Sequence, residues 1–305
     1  METLRLDSKN MWHEYEKSKL AEGIKPKTLK DYKSILVAFG QWMARTYGTP
    51  FRVQPEHIER YFVYLRSLPA NRNHPYTPPK KTPISAYRLR NIYIALRSYY
   101  SWMEERGIRE SPMRHIRSPK LPQNVIEIYT KEEIARVIEY INSRQSPNNL
   151  RDTTIIQLFL ATGLRASELL QITHRDVNLS ERRIRVSRGK GSKQRIVPFN
   201  GASLQLLTQY LAELPNIRPQ DRIFPISHDR CRDMFTRACK TCGVKPRGLH
   251  ALRHTFACRF LLAGGSPLDL KYILGHSSLA MVDRYSQWVR QQTALQSYEL
   301  VADRL

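Results

Sequence analysis

Acidic residues are scarce in this chain, and long apolar runs are missing. Twenty-seven Asp and Glu stand against 50 Lys and Arg over 305 residues, a formal net charge of +23. A field that positive concentrates polyanions and is costly to keep compact without them. A nucleic-acid duplex, with about one negative charge per ~1.7 Å of axis, is the natural counter-ion. The longest apolar stretches, such as Ile155 to Ala161, fall far short of the ~20 residues a membrane helix needs, so no membrane segment is expected. Met1 to Asn10 are charged and polar and do not read as a secretory signal, which points to a cytoplasmic, nucleoid-associated location. Cysteine is sparse, with four in all, and without an export route these are expected to stay reduced. Cys239 and Cys242 form a C-x-x-C with Cys231 nearby, but one such pair does not make a metal site, and ordinary thiols are the plainer reading. No internal repeat and no low-complexity tract interrupts the chain.

What is present describes a globular protein. Apolar residues make up 41% and charged residues 25%, outside the range of disordered chains. The length suits two domains, each able to bury a core. Sixteen Tyr, nine Phe and four Trp argue for ordered cores, which a ribosomal or histone-like packing protein seldom needs. Two proline-rich stretches punctuate the sequence. Asn71 to Pro83 reads as an internal loop, because helical periodicity resumes directly after it. Ser111 to Glu127 separates two patterns and reads as an interdomain linker. The expected division is residues 1–115, a linker at 116–127, and residues 128–305.

Before the linker the periodicity is helical. Ile35, Leu36, Phe39 and Trp42 form one apolar stripe; Ile58, Tyr61, Phe62 and Leu65 form a second. Leu89, Ile92, Leu96, Tyr99, Tyr100 and Met103 form a third within Ser85 to Glu105. This half predicts a small all-α bundle, with Lys27, Lys30, Lys33, Arg88, Arg90 and Arg97 on outer faces that can lie on phosphates or simply meet solvent. After the linker the pattern is mixed. Thr130 and Glu133 spell a capping box. Arg151 to Ala161 reads as an apolar helix that Gly163 ends with a left-handed cap. Ile184 and Val186, then Ile196 and Val197, flank Gly189-Lys190-Gly191-Ser192 as a β-hairpin. Helices are expected at Ser203–Glu213, Asp229–Cys242, His250–Ala263, Pro267–Leu274 and Ser278–Trp288. The fold class is therefore mainly α with a small β-sheet.

Four islands carry possible chemistry. In Thr162-Gly163-Leu164-Arg165-Ala166-Ser167-Glu168-Leu169, Arg165 sits at a turn between apolar helices and needs a partner, either Glu168 or an anionic ligand. In Arg188 to Arg195, glycines around Lys190 let the backbone approach a ligand, although the spacing is not that of a P-loop. In His250-Ala251-Leu252-Arg253-His254, helical spacing puts His250 and Arg253 on one face. His250 and His254 could chelate a metal, but no acidic ligand lies close in sequence and the H-E-x-x-H glutamate is missing. In Leu274-Gly275-His276-Ser277-Ser278, Gly275 ends a helix, His276 stands in the turn, and Ser277 or Ser278 caps a helix that carries Tyr285. Any one of sixteen tyrosines is core or surface by default; position and company single out Tyr285.

Together the islands supply two arginines, a lysine, two histidines and a tyrosine, with no paired carboxylates and no metal-ligand cluster. Phosphoryl transfer can run on positioning and positive charge. Guanidiniums can grip non-bridging oxygens as charge builds. A tyrosine can attack phosphorus, and a lysine or histidine can protonate the leaving oxygen.

In this order the four islands resemble the catalytic boxes of the tyrosine recombinases, the phage-integrase family. The likeness covers Thr130 to about Trp288 closely, and the interval from His276 to Tyr285 is nine residues, as the family pattern requires. The N-terminal half is similar in kind to the family's helical core-binding domain. The resemblance implies that Arg165 and Arg253 clamp the scissile phosphate, His276 adds a hydrogen bond to it, and Lys190 is the general acid for the leaving 5′-oxygen. It implies that His250 assists proton transfer at Tyr285, which forms a 3′-phosphotyrosyl bond; Glu168 is structural, and Asp176 is similar to a buried support residue. It further implies site-specific double-stranded DNA as partner, a homo-tetramer or a related recombinase acting through a Holliday junction, and no metal or cofactor. The residues after Trp288 hold Leu295, Tyr298, Leu300 and Val301, a helical stripe that docks on a neighbouring protomer or on its own domain. The chain is too short for an additional arm-binding domain, which favours a simple Xer-like or transposon-borne enzyme. A type IB topoisomerase, a telomere resolvase and a non-catalytic DNA-binding protein are the competing readings.

Overall fold

The computed structural model describes residues 8–48, 52–69, 82–122, 126–186, 194–214, 216–299 and 302. The chain divides into two compact units, Met1–Gln123 and Asn124–Leu305.

The first unit is helical: α1 Ser8–Ala21, α2 Pro26–Tyr47, α3 Pro55–Ser67 and α4 Ala86–Glu105. Proline opens α2 and α3, and Gly48 closes α2 in the left-handed region. Leu29, Ile35, Phe39 and Met43 of α2 meet Ile58, Tyr61 and Leu65 of α3 and Leu89, Ile92, Leu96, Tyr100 and Met103 of α4 in one core. Helix α1 is an addition to the expected elements. Its apolar residues are few, and it is pinned through fully buried Tyr15, whose hydroxyl lies 2.8 Å from Ser98 Oγ of α4. Most of the Asn71–Pro83 loop lies outside the described residues; its ends are brought together where Pro69 bridges Pro83. Met113 and Ile116, in the proline-rich stretch after α4, are buried in this unit's core, and the Tyr93 hydroxyl donates to Ile116 O at 3.0 Å. Lys27, Lys30, Lys33, Arg88, Arg90 and Arg97 are exposed.

The second unit holds α5 Lys131–Ser143, α6 Asn149–Thr162, α7 Ala166–Leu169, β1 Val177–Asn178, β2 Arg183–Val186, β3 Arg195–Pro198, α8 Gly201–Ala212, α9 His228–Thr241, α10 Leu249–Leu262, α11 Pro267–Leu274 and α12 Ala280–Glu299. Helix α5 begins on the capping box of Thr130 and Glu133. Helix α6 is buried nearly all round, with Ile155, Ile156, Leu158 and Phe159 fully enclosed. The sheet is antiparallel in the order β1-β2-β3, with Ile184 opposite Val197 and Val186 opposite Arg195. That register sets the two faces of β3. Val197 is buried, Ile196 is 54% exposed, and Arg195 takes the inner place, because side chains alternate across a strand and a carboxylate waits on the inner side. Helix α12 starts later than expected. Its first amide bonds, from Val282 and Asp283, go to Leu279 O rather than to a serine cap, and it runs on through Glu299.

Among the described residues no helix is long and apolar enough to cross a membrane, and no group of three His, Cys, Asp or Glu is placed to hold a metal ion. Cys231 and Cys239 are buried, and burial raises their thiols to about 12 and about 11.

Candidate active site

Two helix ends create the site. Helix α6 ends at Gly163 (φ 61°) and α11 ends at Gly275 (φ 65°), both left-handed. Gly163 is required for space as well as for φ: an added Cβ would lie 2.3 Å from Phe256 Cδ1. A helix C-terminus presents unpaired carbonyls and partial negative charge. The guanidinium of Arg253, from α10, fills the gap between these ends. Its Nη1 donates to Gly163 O at 2.8 Å, and its Nη2 donates to Leu274 O at 3.0 Å and to His276 Nε2 at 2.7 Å. Arg253 is only 1% exposed. Burial and the nearby Arg165 charge lower its pKa to about 10, which leaves it cationic at neutral pH.

Arg165 caps the short helix α7, and Glu168 holds it in place. The Glu168 carboxylate accepts from the Arg165 amide at 2.9 Å and from Arg165 Nη1 at 2.9 Å. The same carboxylate accepts Arg195 Nη1 at 3.1 Å and Nη2 at 2.8 Å, and Arg195 Nε continues to Ile273 O at 2.8 Å. One buried acid thus ties α7, β3 and α11 together. Burial alone would raise Glu168; the hydrogen bonds from Arg195 and from the Arg165 amide outweigh it and lower the pKa below the usual carboxylate range.

His276 leaves α11 with its amide on Lys271 O at 3.0 Å. Its ring lies parallel to that of Tyr285, 6.3 Å between centroids and 11° between planes. Its Nδ1 is buried with no hydrogen-bond partner among the described residues. Burial and the Arg253 charge push His276 down to about 4. Tyr285, in the second turn of α12, is 4% exposed. Burial raises its phenol, and the Arg253 charge works against that rise. The Tyr285 hydroxyl lies 2.9 Å from Nδ1 of His254.

Of the residues singled out from the sequence, Arg165, Arg253, His276 and Tyr285 converge on one junction of α6, α10, α11 and α12. His250 stands beside them on α10: its ring meets that of His254 edge-on, with centroids 4.6 Å apart. Burial and the charges of Arg253 and Arg165 lower its pKa. The hydroxyl of Tyr285 is met by His254 rather than by His250. Lys190 lies outside the described residues, between Val186 and Arg195, which pair across β2 and β3. Asp176 is half-buried and accepts from the Thr173 amide at 3.0 Å, supporting the turn before β1.

Two site residues were not assigned a role from the sequence. Arg195 was legible in principle: with Val197 and Phe199 inward, strand parity puts Arg195 on the same face. His254 shares a helix face with His250 at a four-residue spacing, but nothing local pairs it with a tyrosine 31 residues on.

Residues 127–291 match the phage integrase family. The tyrosine recombinase XerC of Myxococcus xanthus is 29% identical over 289 residues, covering 89% of this chain and 90% of that protein. XerC of Staphylococcus haemolyticus is 30% identical over 275 residues, covering 87% of each. Among solved structures, the XerH site-specific recombinase bound to a palindromic difH substrate superposes with a TM-score of 0.72 at 18% identity, over 98% of this chain and 91% of that one. A lambda integrase dimer bound to a COC′ core site gives 0.67 at 20% identity, over 90% and 96%. The two structural likenesses bear on the fold. With the family match over more than half of the chain and the XerC likeness over most of its length, the chain belongs to the phage integrase family and is a tyrosine recombinase.

Proposed function

We propose that this site-specific recombinase cuts one DNA strand by attack of Tyr285 on the scissile phosphate and rejoins it to a partner strand. The observation that carries the reading is the convergence of a buried phenol, two arginines and an imidazole where two helix ends meet. Arg253 and Arg165 grip the non-bridging oxygens, where charge grows in the transition state. His276 adds a hydrogen bond to the same group. The Tyr285 Oη–P bond forms as the P–O5′ bond breaks; the phenol's proton is taken up with the help of His250, and Lys190 supplies the proton to the departing 5′-oxygen. The 3′-phosphotyrosyl ester keeps the free energy of the broken phosphodiester, so a 5′-hydroxyl can reverse the step without ATP. Burial keeps the phenol protonated at neutral pH, and the arginine cations offset that cost.

The helical first unit is the core-binding domain in this reading, with its exposed lysines and arginines on the DNA backbone. Strand exchange takes place in a homo-tetramer through a Holliday junction. Leu295 and Tyr298, 53% and 60% exposed on α12, support a protomer contact through this tail.

The test is a suicide-substrate trap. Nicked duplexes carrying candidate sites are incubated with the protein in EDTA without ATP, then run on a denaturing gel. A protein–DNA adduct that vanishes in Tyr285→Phe, while duplex binding persists, is the expected result. Tight binding without an adduct across a pooled genomic library would refute the reading in favour of a non-catalytic binding protein.

A further inference from the structure

Tyr285 lies between two imidazoles, and only one of them engages its hydroxyl. The His276 ring lies parallel to the phenol with 6.3 Å between centroids, while His254 Nδ1 lies 2.9 Å from Oη. We infer that His254 is a positioning residue, which takes a hydrogen bond from the Tyr285 hydroxyl on Nδ1 and holds the nucleophilic oxygen in line for attack. The inference rests on the reading of Tyr285 as the nucleophile.

Three features of the site support it. His254 follows Arg253 directly on α10, so the backbone that fixes the buried guanidinium also fixes the imidazole. The edge-on ring of His250, 4.6 Å away, packs against His254 and restricts its rotation. His254 is neutral at neutral pH, since burial and the charges of His250, Arg284 and Arg253 push it down to about 4. A neutral imidazole has one acceptor nitrogen, and the phenol O–H is the donor that faces Nδ1. The same cationic neighbours oppose protonation of His254, which suits an acceptor of a hydrogen bond better than a carrier of the proton. Restricting the phenol matters because a nucleophile displaced by about 1 Å can lose roughly 100-fold in rate.

Two variants separate the hydrogen bond from the ring. His254→Phe keeps an aromatic ring without an acceptor. His254→Asn loses the ring but keeps an acceptor, Oδ1, one bond from Cγ, where Nδ1 stands. Single-turnover cleavage of the nicked duplex is measured for both, beside wild type and Tyr285→Phe, with duplex binding and the circular dichroism spectrum of each full-length variant as controls. The expected result is a loss of about 10- to 100-fold in the cleavage rate of His254→Phe at unchanged DNA affinity, with most of the rate recovered in His254→Asn. Wild-type cleavage by His254→Phe would overturn the inference. So would His254→Asn that is folded, binds DNA and cleaves as slowly as His254→Phe, because the site would then need the imidazole as a proton carrier. Absence of an adduct from the wild-type protein would instead remove the nucleophile reading, and this inference with it.

Discussion

Replacing Glu168 with glutamine removes one charge and almost no volume from the junction of α7, β3 and α11. Both carboxylate oxygens are fully engaged: Oε1 accepts from Arg165 Nη1 at 2.9 Å and Arg195 Nη1 at 3.1 Å, and Oε2 accepts from the Arg165 amide at 2.9 Å and Arg195 Nη2 at 2.8 Å. An amide can satisfy one of these pairs. Whichever way it is turned, its NH2 faces two donors. Arg195, whose side chain is 7% exposed, then keeps a buried charge without its counter-ion. Breaking a buried pair from one side costs about 3–5 kcal/mol, and the retained half of the hydrogen bonds puts Glu168→Gln at about 3 kcal/mol. For a unit of this size that is a fall in Tm of roughly 6–12 °C. Urea and thermal unfolding of the full chain measure it. The pH dependence adds a second check: Glu168 is lowered in the fold, so its contribution is present above the ordinary carboxylate pKa and is lost as pH falls through the folded value. The gap between wild type and variant should therefore narrow in acid. A loss below about 1 kcal/mol at neutral pH, against the ~3 expected for a one-sided break, would show that the cluster is solvated and the reasoning wrong.

His254 and His276 are both held near 4, below the ordinary 6.5. The unfolded chain therefore takes up protons between those values before the fold does, so stability should be full above about pH 6.5 and decline as pH falls towards about 4. Unfolding free energies at a series of pH values should show a shallower decline for His254→Asn; an unchanged slope would count against a neutral buried His254. Gly163→Ala combines a left-handed φ of 61° with a Cβ 2.3 Å from Phe256 Cδ1. It should destabilise the chain by about 2 kcal/mol or more and slow cleavage, because Gly163 O is one of the groups that seat Arg253; a stability within about 0.5 kcal/mol of wild type would refute the fit.

Much of the scaffold was readable as local pattern. The stripes in α2, α3 and α4, the box of Thr130 and Glu133, and the cap at Gly163 depend on residues three or four positions apart, and the helices formed where those signals stood. Helix α1 was not readable. Its apolar side chains are few, and Tyr15 is buried through contacts with α4, 83 residues away at Ser98. The tail after Trp288 was read as a separate stripe, whereas α12 continues unbroken through it to Glu299, because no residue there stops the helix.

The sequence by itself determined which residue types stand at the site and in what order, since the nine-residue interval from His276 to Tyr285 and the place of Arg253 on α10 are matters of spacing along the chain. Tertiary structure decided what each of them touches. Arg253 is seated by carbonyls 90 and 21 residues away, Arg195 turns inward to a carboxylate 27 residues away, and the Tyr285 hydroxyl meets His254 rather than His250. Helical periodicity records which face of an element is apolar. It does not record which helix ends will meet, and the buried charges and hydroxyls of this site find their partners only at those meeting ends, where burial makes an unmade hydrogen bond costly.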